Sequence, residues 1–131
     1  MENAKFIFKT TASGEFHFNF LNGENKILGT SENYKTKSNM ERGIESVRKN
    51  SEIASLEDQT IEGFSAQVNP KFELYIDKAN EYRFRLKAKN GAIILASTKF
   101  DSKENCMNAI KFIKESALNA DLEQEKPALK S

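Results

Sequence analysis

Cysteine and histidine are almost missing from this 131-residue chain, which holds one of each, Cys106 and His17. A lone cysteine excludes a disulfide framework, and a zinc centre or catalytic triad needs more of these side chains than two isolated ones. Net charge is missing too. The 20 basic side chains stand against 19 acidic ones, for a net charge of +1, so no global field draws the chain to nucleic acid or an anionic membrane. No apolar run is long enough to span a bilayer, and the first residues do not read as a signal segment. With the single cysteine, these features make a reducing, cytoplasmic setting the expectation, with no membrane partner. The 6 glycines are scattered, in neither the GxGxxG nor the GxxxxGK spacing that cradles phosphates. No catalytic residue, metal ligand or cofactor site is expected, and the chain does not read as an enzyme.

What the sequence does contain is a repeat. Sliding the chain by 66 positions, without a gap, pairs Phe6 with Phe72, Phe18 with Phe84, Ile27 with Ile93, Ser31 with Ser97, Lys37 with Lys103 and Ile44 with Ile110. Ala54, Leu56 and Glu57 fall on Ala120, Leu122 and Glu123. Apolar character persists where identity does not, as in Tyr34 with Phe100, Met40 with Cys106 and Val47 with Ile113. A repeat of this kind governs the architecture. With 38% hydrophobic residues and 10 phenylalanines, the whole chain can fill one core, whereas units of about 55 residues are marginal alone. The halves are expected to share a sheet or a core, as a monomer with pseudo-twofold symmetry.

Local patterns give the same plan twice. Lys5 to Thr10 alternates Phe6 and Phe8 with Ile7 and Lys9, and Glu15 to Leu21 alternates Phe16, Phe18 and Phe20 with His17 and Asn19. Both are strands with an aromatic face. Asn22-Gly23, with Asn25 close behind, predicts a turn into a third strand over Lys26 to Ser31. A helix follows, with Met40, Ile44 and Val47 on one stripe; Thr36 and Ser38 are candidate caps, and Ser38 with Glu41 has capping-box spacing. Gly43 within it predicts a close approach of helix and strand. Ile53 to Glu57 is expected as a short fourth strand. Ile61, Phe64 and Val68 are expected to anchor the connection. In the second unit Phe72, Leu74 and Ile76 face in, as do Tyr82, Phe84 and Leu86, and Asn90-Gly91 turns the chain into a strand at Ile93 to Ser97. Ser102 or Glu104 opens a second helix, with Cys106, Ala109, Ile110 and Ile113 inward. The expected division is repeat 1 over residues 3–57, a connection over 58–68, repeat 2 over 69–123, and a disordered tail over 124–131. The expected fold class is α+β: two tandem β-β-β-α-β repeats, a mostly antiparallel sheet, and both helices on one face.

Few residues carry chemistry. His17 lies outward on a strand, and Cys106 falls on an apolar helix stripe, where packing outweighs reactivity. Ser31 with Ser97 and Lys37 with Lys103 recur, but a serine at a strand end serves backbone groups and a lysine in a first helical turn is ordinarily solvated. One strip stands out. Arg83, Arg85 and Lys87 alternate with Tyr82, Phe84 and Leu86, so the three cations share the outer face of one strand, with Tyr75 beside them and Glu73 as partial balance. A basic, partly aromatic sheet face can contact phosphates or stack a base. It is more commonly a solvated face.

The segment TSENYKTKSNMERGIESVRKN resembles the signature of the YegP-like family of small bacterial proteins, and FRLKAKNGAIILAS resembles the strands and Asn-Gly turn that precede it. The chain departs from that pattern at LNGENK and ASTKF. The resemblance implies three antiparallel strands, a helix and a short final strand per repeat, with the final strands exchanged between repeats. It also implies that one-repeat members reach the same arrangement as dimers, and it brings no established activity. The sequence therefore favours a non-enzymatic binding or interaction protein whose partner it does not name, a protein being one candidate, with nucleic-acid binding through Tyr75, Arg83, Arg85 and Lys87 as the rival.

Overall fold

The computed structural model describes residues 3–125. The first half contains β1 (Lys5–Thr10), β2 (Phe16–Leu21), β3 (Ile27–Thr30), α1 (Lys37–Ile53) and β4 (Ser55–Asp58). The second contains β5 (Lys71–Ile76), β6 (Tyr82–Lys87), β7 (Ile93–Ser97), α2 (Lys103–Ser116), a 3-10 turn at Ala117–Asn119 and β8 (Asp121–Gln124). Among the described residues the strands form one eight-stranded sheet in the order β4-β5-β6-β7-β3-β2-β1-β8. The fourth strand of each half leaves its own half. β4 pairs parallel with β5, and β8 pairs parallel with β1. The remaining pairings are antiparallel. Two α+β repeats with exchanged final strands are thus the architecture.

Alternation explains the layers. Phe6, Phe18, Phe20, Phe72, Leu74, Phe84 and Leu86 are fully buried under the helices, where Met40, Ile44, Val47, Cys106, Ile110 and Ile113 meet them in one core. Edge-to-face contacts repeat with the sequence: Phe6 and Phe18 have ring centroids 5.6 Å apart, and Phe72 and Phe84 5.7 Å. Each half of the sheet also receives a ring from the stretch before its helix. Tyr34 stacks on Phe18 at 6.3 Å, and Phe100 on Phe84 at 6.2 Å. Such aromatic pairs add to area burial.

The helix starts obey one rule. Thr36 Oγ1 accepts from Asn39 N at 3.0 Å, and Ser102 Oγ accepts from Asn105 N at 3.1 Å. Ser38, which has capping-box spacing, lies instead inside the first turn of α1, because Thr36 already holds the extended conformation that a cap needs. The other ends are crossed between halves. Arg48 of α1 donates to the carbonyls of Ala117 and Leu118, at 3.1 and 3.0 Å, while Lys114 of α2 donates to the carbonyl of Ala54. Positions 48 and 114 are equivalent in the repeat, so each helix places a cation on the negative end of the other.

Several expectations need correction. The helix runs on to Ile53, which is 66% exposed, and the fourth strand begins only at Ser55. In the turn that Asn22-Gly23 predicts, the left-handed residue is Asn25, matching Gly91 in the second half. The Asn22 side chain explains this by accepting from the amides of Glu24 and Lys26. Ile76 is 44% exposed at the end of β5, and Leu21, which strict alternation with Phe20 would turn outward, is buried beside a register shift in β2. Ile61, Phe64 and Val68 are all exposed and anchor nothing. Polar bonds hold the connection instead, from Gln59 N to Leu74 O (2.8 Å), from Thr60 N to Asp58 (3.0 Å) and from Gln67 N to Glu57 (2.7 Å). Of the expected tail, Gln124 is part of β8 and Glu125 N donates to Phe8 O at 2.8 Å; residues 126–131 lie outside the described residues.

Gly43 does mark a close approach, but to a ring and not to a strand. A Cβ there would lie 2.3 Å from the Tyr34 hydroxyl oxygen. The second half solves the same contact with Phe100 and Ala109, a smaller ring and a larger helix residue. Gly43→Ala should therefore forfeit the roughly 1 kcal/mol of helix propensity that it would otherwise gain, and Tyr34→Phe should restore much of it. Urea unfolding of the two single variants and the double variant is expected to give a coupling of about 1 kcal/mol in favour of the double variant; additivity would contradict the contact.

Candidate functional site

The outer face of β4, β5 and β6 gathers most of the charged side chains that the sequence singles out. β5 and β6 pair with Glu73 opposite Arg85, Tyr75 opposite Arg83 and Lys71 opposite Lys87, and parallel pairing of β4 puts Glu57 beside Glu73. Alternation turns all of these away from the core. Glu73 is the centre. Its carboxylate meets Arg85 Nε, Lys71 Nζ at 3.2 Å and Lys87 Nζ at 3.3 Å. Lys71 Nζ also reaches Glu57 at 2.8 Å, and Glu57 accepts further from Gln67 N at 2.7 Å and Gln59 Nε2 at 2.6 Å. Arg83 Nε pairs with Asp77 at 2.6 Å, and the Arg85 guanidinium lies 4.5 Å from the Tyr75 ring centroid.

Tyr75, Arg83, Arg85 and Lys87 are therefore together on one face, as the sequence suggests, but they do not form an unbalanced basic strip. With Lys71, four cations stand against the carboxylates of Glu57, Glu73 and Asp77. Glu57 and Glu73 are buried, at 2% and 3% exposure, so their charges are affordable only because donors surround them. Burial alone would raise the pKa of Glu57. Hydrogen bonds from Lys71, the Gln67 amide and Gln59 outweigh it and hold the carboxyl down at about 2. In Glu73, burial is likewise outweighed by Arg85, Lys71 and Lys87. The Glu57 bond raises Lys71 against its own burial, and Arg83 lowers Asp77. Every one of these shifts deepens the charged state.

Glu57, Lys71 and Asp77 were not singled out in the sequence, although the repeat carried a signal for two of them. Lys5 and Glu123 are the equivalents of Lys71 and Glu57, and they too approach, at 3.8 Å. Only the exchange of strands reveals that such residues are neighbours. The other candidates take structural roles. Ser31 Oγ accepts from Phe18 N at 2.9 Å, and Ser97 Oγ from Phe84 N at 2.8 Å, each donating to the next residue's carbonyl. Lys103 pairs with Asp58 at 2.7 Å, whereas Lys37 lies 5.3 Å from the Phe8 ring centroid, since Gln124 stands where the second partner would be. Cys106 is fully buried, and burial pushes its thiol up to about 12. His17 is half-buried opposite Lys9. Among the described residues, no group of three or more His, Cys, Asp and Glu side chains is placed to hold a metal ion, and no helix is long and apolar enough to cross a membrane.

The fold defines a class: tandem-duplicated α+β proteins with exchanged terminal strands. The chain belongs to the family described as a domain of unknown function, DUF1508, whose model matches residues 12–58 and again residues 77–124. It is 34% identical over 122 residues to the UPF0339 protein PA0329 of Pseudomonas aeruginosa, covering 93% of this chain and 97% of that one. It is 31% identical over 111 residues to the UPF0339 protein YegP of Yersinia pestis, covering 85% and 86%. A UPF0339 protein of Methanosarcina acetivorans matches over 50 residues at 50% identity, covering 38% of this chain but 86% of that one, so that relative is about one repeat long. The solution structure of the UPF0339 protein SO3888 of Shewanella oneidensis superposes with a TM-score of 0.74 at 26% identity, covering 93% and 91%. That of YegP from E. coli superposes at 0.75 and 22% identity, covering 98% of each chain, a likeness of fold. The YegP-like resemblance in the sequence is borne out, and the family's function is unknown.

The cluster makes two checks available. Lys71→Met leaves two buried carboxylates short of a cation and is expected to cost about 3 kcal/mol in urea unfolding. Because the Glu57 pKa in the folded protein is below the ordinary 4.5, its stabilisation is complete above pH 4.5 and drains away as the pH falls toward about 2. Glu57→Gln should flatten the decline in unfolding midpoint across that window; an unchanged acid limb would mean that Glu57 is not held down.

Proposed function

We propose that this protein is a small non-enzymatic binding or interaction module, acting as a monomer in a reducing, cytoplasmic setting on a protein partner. The support is the direction in which its ionisable groups are moved. A general acid or base is tuned toward neutrality and a nucleophilic thiol toward the thiolate, whereas here Glu57 is driven to about 2, Lys71 upward and Cys106 to about 12. Those groups are fixed in the states that build structure. A monomer is supported by the exchanged strands, which one chain supplies to itself.

Nucleic-acid binding through Tyr75, Arg83, Arg85 and Lys87 is the second reading, favoured by the Tyr75 ring beside the Arg85 guanidinium. Carboxylates already neutralise most of that charge, and a phosphate would have to displace them. Fluorescence titration with single- and double-stranded DNA and RNA at low salt is expected to show no saturable binding. Saturable binding that falls with salt and is lost in Arg83→Ala would reverse the order of the two readings.

A further inference from the structure

Away from the open sheet face, the turn between β2 and β3 of the first half faces α2 of the second across a groove of about 370 Å³. Leu28, Phe100, Ala109 and Phe112 make its floor, and Asn22, Lys26, Asn105 and Asn108 its rim. The helix spacing explains the lining: Asn105, Asn108, Ala109 and Phe112 recur at three and four residues along one stripe of α2. Phe112 is held by a tilted contact with Phe20, 6.2 Å between centroids. A smaller hollow of about 290 Å³ continues from Lys26 over Phe100 and Asn105 toward Lys99, with Glu81 and Asp101 also on its edge.

The rim has unused valences of a definite kind. Asn22 Oδ1 is occupied by the amides of Glu24 and Lys26, at 2.9 and 3.0 Å, which fixes the side chain and leaves its NH2 group to donate. Asn105 Nδ2 is bound to Asp101 at 3.1 Å. Lys99 has Glu81 at 3.7 Å, but Lys26 has no carboxylate within 4 Å among the described residues. An apolar, aromatic floor thus borders a surplus cation and a fixed amide donor. The repeat supplies a contrast within the same molecule: Ala88, Ala92 and Ser46 stand where the first groove has Asn22, Lys26 and Phe112. The equivalent place on the other half has neither the cation nor the ring.

We infer that this groove binds a small aromatic carboxylate, its ring against Phe100 and Phe112 and its carboxylate on Lys26 and the Asn22 amide. The volume suits one or two rings, and the pairing of an apolar floor with one charged, one amide contact is what fixes such a ligand's orientation. The site is separate from the ion-pair cluster and goes beyond the proposed reading of the protein as a module for a protein partner.

The test is amide-resolved NMR titration of the whole chain with benzoate, and with benzamide as its neutral counterpart. Saturable shifts are expected at Asn22, Lys26, Asn105 and Asn108 with a Kd on the order of 1 mM, as befits a ligand of so few atoms. Benzamide, and benzoate on Lys26→Ala, should bind at least about fivefold more weakly, the loss of one charge-assisted contact. Lys26 is exposed, so that variant tests the site without disturbing the core; Phe112→Ser, which copies the other half, should abolish the shifts. No saturable shift with benzoate, equal binding of benzoate and benzamide, or shifts mapped to other residues would each overturn the inference.

Discussion

Exchange of the fourth strands is the constraint on which the rest of this structure depends. Where the halves meet directly, β3 and β7 share only the pairings of Gly29 with Ser97 and Thr30 with Ala96. By contrast, β4 pairs with β5 at four positions and β8 with β1 at four. Each half is thus closed at its outer edge by a strand of the other. Without that strand, β1 and β5 would present rows of unpaired backbone groups. Crossed capping by Arg48 and Lys114 ties the helices to the same exchange, because the carbonyls they reach lie where the chain leaves one helix for the other half's edge. A relative about one repeat long has no second half within its chain, so the same closure there would require another copy.

Duplication also creates places where two identical side chains cannot both fit, and the sequence departs from symmetry there. Gly29 and Leu95 are equivalent positions on the two central strands. A Cβ on Gly29 would lie 2.9 Å from the Leu95 side chain, and Leu95 is fully buried. One large and one absent side chain fill a space that two leucines would overfill. Gly43 with Tyr34, against Ala109 with Phe100, is the same device at a helix. Ser51 against Ala117 is a different case: both are fully buried, but the Ser51 hydroxyl makes no hydrogen bond, and the structure offers no reason for it.

The repeat and the alternation of aromatic residues made the strands, the helices and the core legible, since each depends on residues close in sequence. Phe6 and Phe72 or Met40 and Cys106 declare their burial by spacing alone. The misses have one origin in common. Ile61, Phe64, Val68 and Ile76 are apolar, and pattern alone sends them inward, but where a connecting segment or a strand end meets the rest of the chain is a tertiary matter that local pattern does not carry. The sequence placed Tyr75, Arg83, Arg85 and Lys87 on one face correctly, yet their charge is set by Glu57, Lys71 and Asp77, and Glu57 enters only through parallel pairing with β5. The groove at Lys26 and Phe112 was hidden for the same reason. Its two walls are far apart in the chain and belong to different halves.

Connectivity accounts for why the ion-pair cluster occurs once and not twice. The chain leaving β4 must turn back through residues 59–70 to begin β5 beside it, and Glu57 ties that return by accepting from Gln59, Gln67 and Lys71. Among the described residues no strand follows β8, so no such return is tied there. At the equivalent place Ile7, Asn19 and Leu21 stand for Glu73, Arg85 and Lys87, and only Lys5 and Glu123 keep a contact, at 3.8 Å. A buried carboxylate is worth its desolvation where it holds a segment that apolar side chains do not, and Ile61, Phe64 and Val68 are exposed. On this account Arg85 and Lys87 are present because Glu73 is, Glu73 because it shares Lys71 with Glu57, and Glu57 because the linker needs an anchor. The charged strip then follows from how the two repeats are joined.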